Sequence, residues 1–156
     1  MLADEVQRRL GVALQKFNDN DQILLSYDVH ECCIAARLAM YLQVQFPNHS
    51  VDIEYSREGG VSPKRLALPV QCGRKKHGVV RPDVIVHHRG RDGTNLLVLE
   101  LKKSVSADPP QCDRNRIRAF RRVFGYVFGA TIMCQMRVSV GISRSRWFDN
   151  QHPDGI

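Results

Sequence analysis

Residues 81–104, RPDVIVHHRGRDGTNLLVLELKKS, read as two apolar strands around a tight turn, yet Asp83, Glu100 and Lys102 stand among the valines and leucines. Burying two carboxylates and an amine side by side costs several kcal/mol of hydration each unless they pair or bind a cation. Carboxylates are hard oxygen ligands suited to Mg²⁺ or Mn²⁺, ions that keep positions open for water and phosphate oxygens. A neighbouring lysine can orient or help deprotonate the attacking water and offset charge gathering on the phosphorus oxygens. The chemistry these types allow is metal-dependent hydrolysis of a phosphodiester. The plainer alternative is a structural salt bridge from Lys102 to Asp83 or Glu100 at a wet strand end.

Whether the three groups meet depends on register. The Asp-Gly pair in RDGT, residues 91–94, is a strong signal for a two-residue type I′ turn. It predicts Ile85 opposite Glu100 and Asp83 opposite Lys102, with all four side chains on one face. A four-residue loop gives the same pairing, whereas a three-residue loop or a bulge shifts it and scatters them. Val84, Val86, Leu97, Leu99 and Leu101 fall on one face and Ile85, Leu96 and Val98 on the other, as in central strands covered on both sides. His87 shares the face of Asp83 but lies roughly 13 Å along the strand, which favours packing or a turn contact; His88 points to the other face.

A third acid comes from an earlier element. In SYDVHECCIAARLAMYLQVQFP, Ile34, Ala35, Leu38, Tyr41, Leu42 and Phe46 form one helical stripe, stopped by Pro47. Glu31 lies on that stripe and is expected to point at the sheet. Its structural alternative is a capping box with Asp28, D-x-x-E, favoured by the helix dipole.

The other elements follow from period and punctuation. Residues 4–17 form a first helix through Val6, Leu10, Leu14 and Phe17, ended by NDND. SVDIEYSR alternates as a half-exposed strand, leaving Asp52 and Glu54 facing solvent. Residues 58–80 make a long basic connection with five glycines or prolines before RKKH, a length that often marks a functional loop. A basic helix over 113–124 sets Ile117, Phe120 and Phe124 on one side, and GATIMCQMRVSVGI forms one strand, or two broken near Gln135. The tail from Arg144 has no period and receives no element. The order implies an α/β protein with a mixed sheet between helices in a single domain over 1–156.

Composition narrows the setting. With 23 Lys and Arg against 16 Asp and Glu, the formal charge is +7, a balance that favours polyanions. The basic residues expected to track phosphates are Lys64, Arg65, Arg74, Lys75 and Lys76 in the connection and Arg114, Arg118 and Arg121 on the later helix; a solvated charged face is the alternative. No apolar stretch reaches membrane-spanning length and the start lacks a secretory pattern. Five cysteines without CxxC spacing suggest free thiols in a reducing compartment, hence a cytoplasmic protein.

The residues between Asp28 and Cys134 resemble the PD-(D/E)xK superfamily of restriction-endonuclease-like phosphodiesterases, close to its small bacterial members. The resemblance rests on HE at 30–31 opening a helix, VDIEYSREG at 51–59, RPDVIVHHRG at 81–90 and NLLVLELKKS at 95–104, then a helix and a strand. It implies an αβββαβ core over about 28–142, with Asp83 and Glu100 holding Mg²⁺ or Mn²⁺. It adds the Leu101 carbonyl as a further ligand, Lys102 near the nucleophilic water and Glu31 completing the site. The activity implied is hydrolysis of nucleic acid, DNA before RNA; the alternative is a domain of the same fold that only binds nucleic acid or another protein.

Overall fold

A computed structural model of the chain describes residues 1–58, 62–66, 72, 78–90, 95–107 and 109–156. Helix α1 (Ala3–Asp21) buries Val6, Leu10, Ala13, Leu14 and Phe17 along one stripe, and a single turn, α2 (Ile23–Ser26), leads on from it. Helix α3 (Glu31–Gln45) buries Ile34, Ala35, Leu38 and Leu42. Its N-cap is His30, whose Nδ1 accepts the Cys32 N–H at 3.2 Å. The alternative of a capping box is therefore absent: Asp28 turns away at φ 51 and pairs with Lys103 at 2.8 Å, which leaves Glu31 to point inward.

Strand β1 (Ser50–Ile53) is followed by a small ribbon, β2 (Arg57–Glu58) against β3 (Ser62–Pro63). Then come β4 (Val84–His87), β5 (Leu97–Lys103), helix α4 (Pro110–Phe124), β6 (Phe128–Gln135) and β7 (Gly141–Phe148). Pro110 opens α4, where a missing N–H costs nothing, and Gly125 closes it in the left-handed conformation at φ 67. The five-stranded sheet runs β1-β4-β5-β6-β7. All neighbours are antiparallel except β5 and β6, which are parallel because α4 carries the chain back between them. The molecule is thus α/β, an open mixed sheet flanked by helices.

Helices α1 and α3 cover one face over Val84, Val86, Leu97, Leu99, Leu101, Ala130 and Ile132. Helix α4 covers the other, packing Ile117, Phe120 and Phe124 on Ile85 and Val98. Gly129 makes that approach possible, since a Cβ there would sit 2.5 Å from the Ile117 side chain.

Three further expectations need correction. The hairpin pairs Val84 with Leu99 and Val86 with Leu97, so one step further Asp83 comes level with Glu100 and not with Lys102. The ladder stops short of RDGT, whose residues 91–94 lie outside the described set. On either side of them, Arg89 pairs with Asp52 and the Asn95 amide donates to the Phe124 carbonyl at 2.7 Å. The slip is two residues, so every side chain keeps its face. Second, Cys72 and Cys112 form a disulfide across 40 residues, leaving Cys32, Cys33 and Cys134 as free thiols and removing the cysteine argument for a reducing compartment. Third, the tail left without an element supplies the end of β7; the break itself falls just after Gln135, at residues 136–140, as the two-strand reading had it. Among the described residues no helix is long and apolar enough to cross a membrane.

Candidate functional site

Strand β4 ends its pairing with β5 at Val84–Leu99, so the edge of β5 beyond Leu99 has no strand beside it among the described residues. Asp83, just before β4, closes that edge with its side chain: Oδ2 accepts the Leu101 N–H at 2.6 Å. N–H and C=O of one strand residue point to the same side, so the Leu101 carbonyl is directed at this edge too. Glu100 faces α4 from the adjacent position and is 1% exposed. Its Oε2 meets Arg116 Nη2 at 2.6 Å, while its buried Oε1 has no hydrogen-bond partner.

Lys102, on the same face, pairs with Asp113 at 3.2 Å, and Asp113 also meets Arg116 at 3.3 Å. Both partners come from the first turns of α4, at i−4 and i−1 from Ile117, which continue its apolar stripe towards the N-terminus. From the opposite face Glu31 joins at the start of α3. Four carboxylates, those of Glu31, Asp83, Glu100 and Asp113, thus lie within electrostatic reach of Arg116 at one rim of the sheet, with Lys102 held by Asp113.

The electrostatics record this crowding. Burial first, and then the charge of Glu31, push the Asp83 carboxyl up to about 7. Asp83 as a residue is only half-buried, but the carboxylate that titrates is packed among protein atoms. Burial and then the Asp83 charge raise Glu100 well above the ordinary carboxylate range, with Arg116 pulling the other way. Burial likewise raises Glu31. Even the Cys134 thiol on β6 is pushed up to about 12, by burial and then by Glu31 and Asp83.

No family model, curated protein or solved structure matches this chain. The site has to be judged on its own atoms. Among the described residues no three His, Cys, Asp or Glu side chains stand close enough to enclose one ion. The donors present are the Asp83 carboxylate, Glu100 Oε1 and the Leu101 carbonyl, all hard oxygens. An orphaned buried carboxylate oxygen beside an acid that resists ionising is what a cation would relieve. Two carboxylates plus water fit the usual holding of Mg²⁺, which retains several waters.

The basic residues divide. Lys64, expected to face phosphates, is 2% exposed: its ammonium meets the Tyr126 hydroxyl at 2.7 Å and lies 5.1–5.6 Å from the ring centres of Tyr55, Phe124 and Tyr126. Three aromatic faces and a phenol hold the charge inside, so this lysine is a core residue. Arg121 is likewise committed, donating to the carbonyls of Asp149 and Val127 and to Asn150, and Arg118 pairs with Asp154 at 2.9 Å. Arg65 is exposed and Arg114 half-exposed. Arg74, Lys75 and Lys76 lie outside the described residues. Asp52, expected to face solvent, is instead half-buried against His87 (2.7 Å) and Arg89, whereas Glu54 is exposed near Arg81.

The residue sequence reasoning missed is Arg116. Its signal was available: Asp113, Arg116, Ile117, Phe120 and Phe124 follow the i, i+3, i+4, i+7 pattern of one helix face.

Proposed function

We infer that the chain is a metal-dependent phosphodiester hydrolase acting on nucleic acid, DNA in the first instance, with Mg²⁺ or Mn²⁺ held by Asp83, Glu100 and the Leu101 carbonyl, and with Glu31 acting on the site through its charge and not as a ligand. The observation that carries this reading is the meeting of two acids with raised affinity for protons at the open edge of β5, one oxygen of Glu100 being buried without a partner. The likeness of the PD and ELK segments to PD-(D/E)xK enzymes supports it. When bound, a divalent ion supplies a water nucleophile at neutral pH and neutralises phosphate charge.

The chain's own groups do the positioning. Arg116 fixes Glu100 by one oxygen and leaves the other directed at the site. Asp113 holds Lys102 beside it, where the ammonium offsets charge on the phosphorus oxygens. In the reaction, water oxygen bonds to phosphorus, the ester P–O bond breaks and the leaving oxygen takes up a proton.

Plasmid or duplex oligonucleotide incubated with Mn²⁺ is cut by the wild type and at least 100-fold more slowly by Asp83→Asn, Glu100→Gln and Lys102→Ala of unchanged melting temperature, a loss of about 2.7 kcal/mol. Equal cleavage by all four proteins removes the site from the mechanism. A binding domain without turnover is the second reading, favoured by the ion pairs that already engage Glu100 and Lys102. It expects a salt-sensitive mobility shift with no cleavage.

A further inference from the structure

Beyond Lys102 the α4 face of the sheet opens into a cavity of about 250 Å³. Lys102 on β5, Asp113 and Arg114 on α4, Thr131 on β6, and Ser145 and Arg146 on β7 line it. Three cations against one carboxylate leave a net positive wall, and that carboxylate is already shared between Lys102 and Arg116.

The backbone is arranged to build this wall. Thr131 pairs with Arg146 but Ile132 pairs with Arg144, so Ser145 is the extra residue of a β-bulge. In a regular strand, Ser145 and Arg146 would face opposite sides. The bulge brings both to the cavity, the kind of re-aiming for which bulges are retained near functional sites.

The donors there are unequal. The Thr131 and Ser145 hydroxyls lie 2.7 Å apart, and Ser145 also donates to the Thr131 carbonyl at 3.1 Å, so their protons are engaged with each other and with the backbone. Recognition therefore falls to the cations. Arg146 uses one of its five donors on the Gly155 carbonyl at 3.1 Å, which holds the guanidinium in place and leaves a fork directed by that anchor. Forked guanidinium groups beside an ammonium match the several oxygens of a phosphate better than a single carboxylate.

We propose that this cavity binds a phosphate group of a nucleic-acid strand, next to the phosphate presented to Asp83 and Glu100. The nucleic-acid source rests on the hydrolase reading; the phosphate chemistry does not. The cavity adds Arg146, with Thr131 and Ser145 as its polar wall, to a substrate-binding surface that sequence reasoning had confined to the connection and to α4.

Binding of a labelled oligonucleotide is measured by anisotropy in EDTA, so that turnover plays no part. Inorganic phosphate and a mononucleotide serve as competitors, and nuclear magnetic resonance shifts are followed at Thr131 and Ser145. Arg146→Gln and Arg114→Gln are each expected to weaken the oligonucleotide about tenfold, with Arg146→Lys, which keeps the charge but loses the fork, intermediate and Arg81→Gln near wild type. Millimolar phosphate is expected to shift the Thr131 and Ser145 signals and to compete. Since Arg114 lies half-exposed on a helix, its variant tests the idea even where Arg146→Gln unfolds. Phosphate-induced shifts with unchanged oligonucleotide affinity in both variants overturn the nucleic-acid source, and no shift with any phosphate overturns the site. Tenfold losses in a protein that cuts nothing leave the cavity standing and the hydrolase reading fallen.

Discussion

The two faces of the sheet are built on different terms. Under α1 and α3 the contacts are apolar, with Leu10, Phe17, Ile34, Leu38, Leu42 and Trp147 fully buried around Val84, Val86, Leu97 and Leu99. Under α4 an aromatic patch of Phe120, Phe124 and Tyr126 gives way, towards the β5 rim, to Glu100, Arg116, Asp113 and Lys102. The first face needs only volume and apolarity, which many sequences satisfy. The second keeps ionic groups where an apolar set is often as stable or more so, so stability alone is weak grounds for their presence. A site is therefore sought on the face that folding alone does not explain.

The contrast is sharpest in pH dependence. Arg116→Met leaves the Glu100 carboxylate buried without its partner, at an expected cost of about 3–5 kcal/mol at pH 8. The cost is expected to shrink at pH 5.5, because burial and the Asp83 charge already favour the protonated form of Glu100. Leu38→Ala on the other face costs about 2–5 kcal/mol at both pH values. Urea melts of the two variants separate these patterns, and a pH-independent Arg116→Met would place the pair on the same footing as the apolar layer.

A covalent clip belongs to the α4 side alone. Cys112 stands in the first turn of α4, beside Asp113, and ties it to Cys72 across a 40-residue loop. Closing such a loop is worth up to about 4 kcal/mol by chain entropy. Thermal melts with and without reductant are expected to show that loss, and Cys112→Ser is expected to abolish the difference. Equal melting temperatures would mean the clip does not restrain the unfolded chain.

The titration of Asp83 shows as a slope, smallest over any one pH unit. Between the ordinary carboxylate value of 3.8 and its raised value of about 7, the folded protein keeps a proton that the unfolded chain has released. Metal-free stability therefore falls as pH rises through that window, by at most about 1.4 kcal/mol per pH unit. Denaturant melts in EDTA follow the slope, and Asp83→Asn removes its share; an unchanged slope would show that Asp83 ionises normally.

Much of this was legible in the sequence because it is periodic. The stripes of α1, α3 and α4 and the alternation in β4 and β5 follow from spacing, and parity put Glu100 and Lys102 on one face despite a slip of two residues. What escaped depended on tertiary partners. The register was not legible because the residues flanking the connection are engaged by distant partners, Arg89 by Asp52 and Asn95 by the Phe124 carbonyl. Strand β7 was hidden because a bulge at Ser145 breaks its period and exposed polar residues fill an edge strand. Lys64 looked like a surface cation because nothing local announces that Tyr55, Phe124 and Tyr126 converge on it. Arg116 was readable, but an arginine beside an apolar stripe carries no mark of the acid it will meet.

Manganese binding tests the acid pair most directly. In a titration followed by the electron paramagnetic resonance of free Mn²⁺, wild-type protein is expected to remove about one ion per chain, and Asp83→Asn and Glu100→Gln to remove little. Retention of the full free-ion signal by the wild type, or equal uptake by the two variants, would contradict a cation site at the edge of β5.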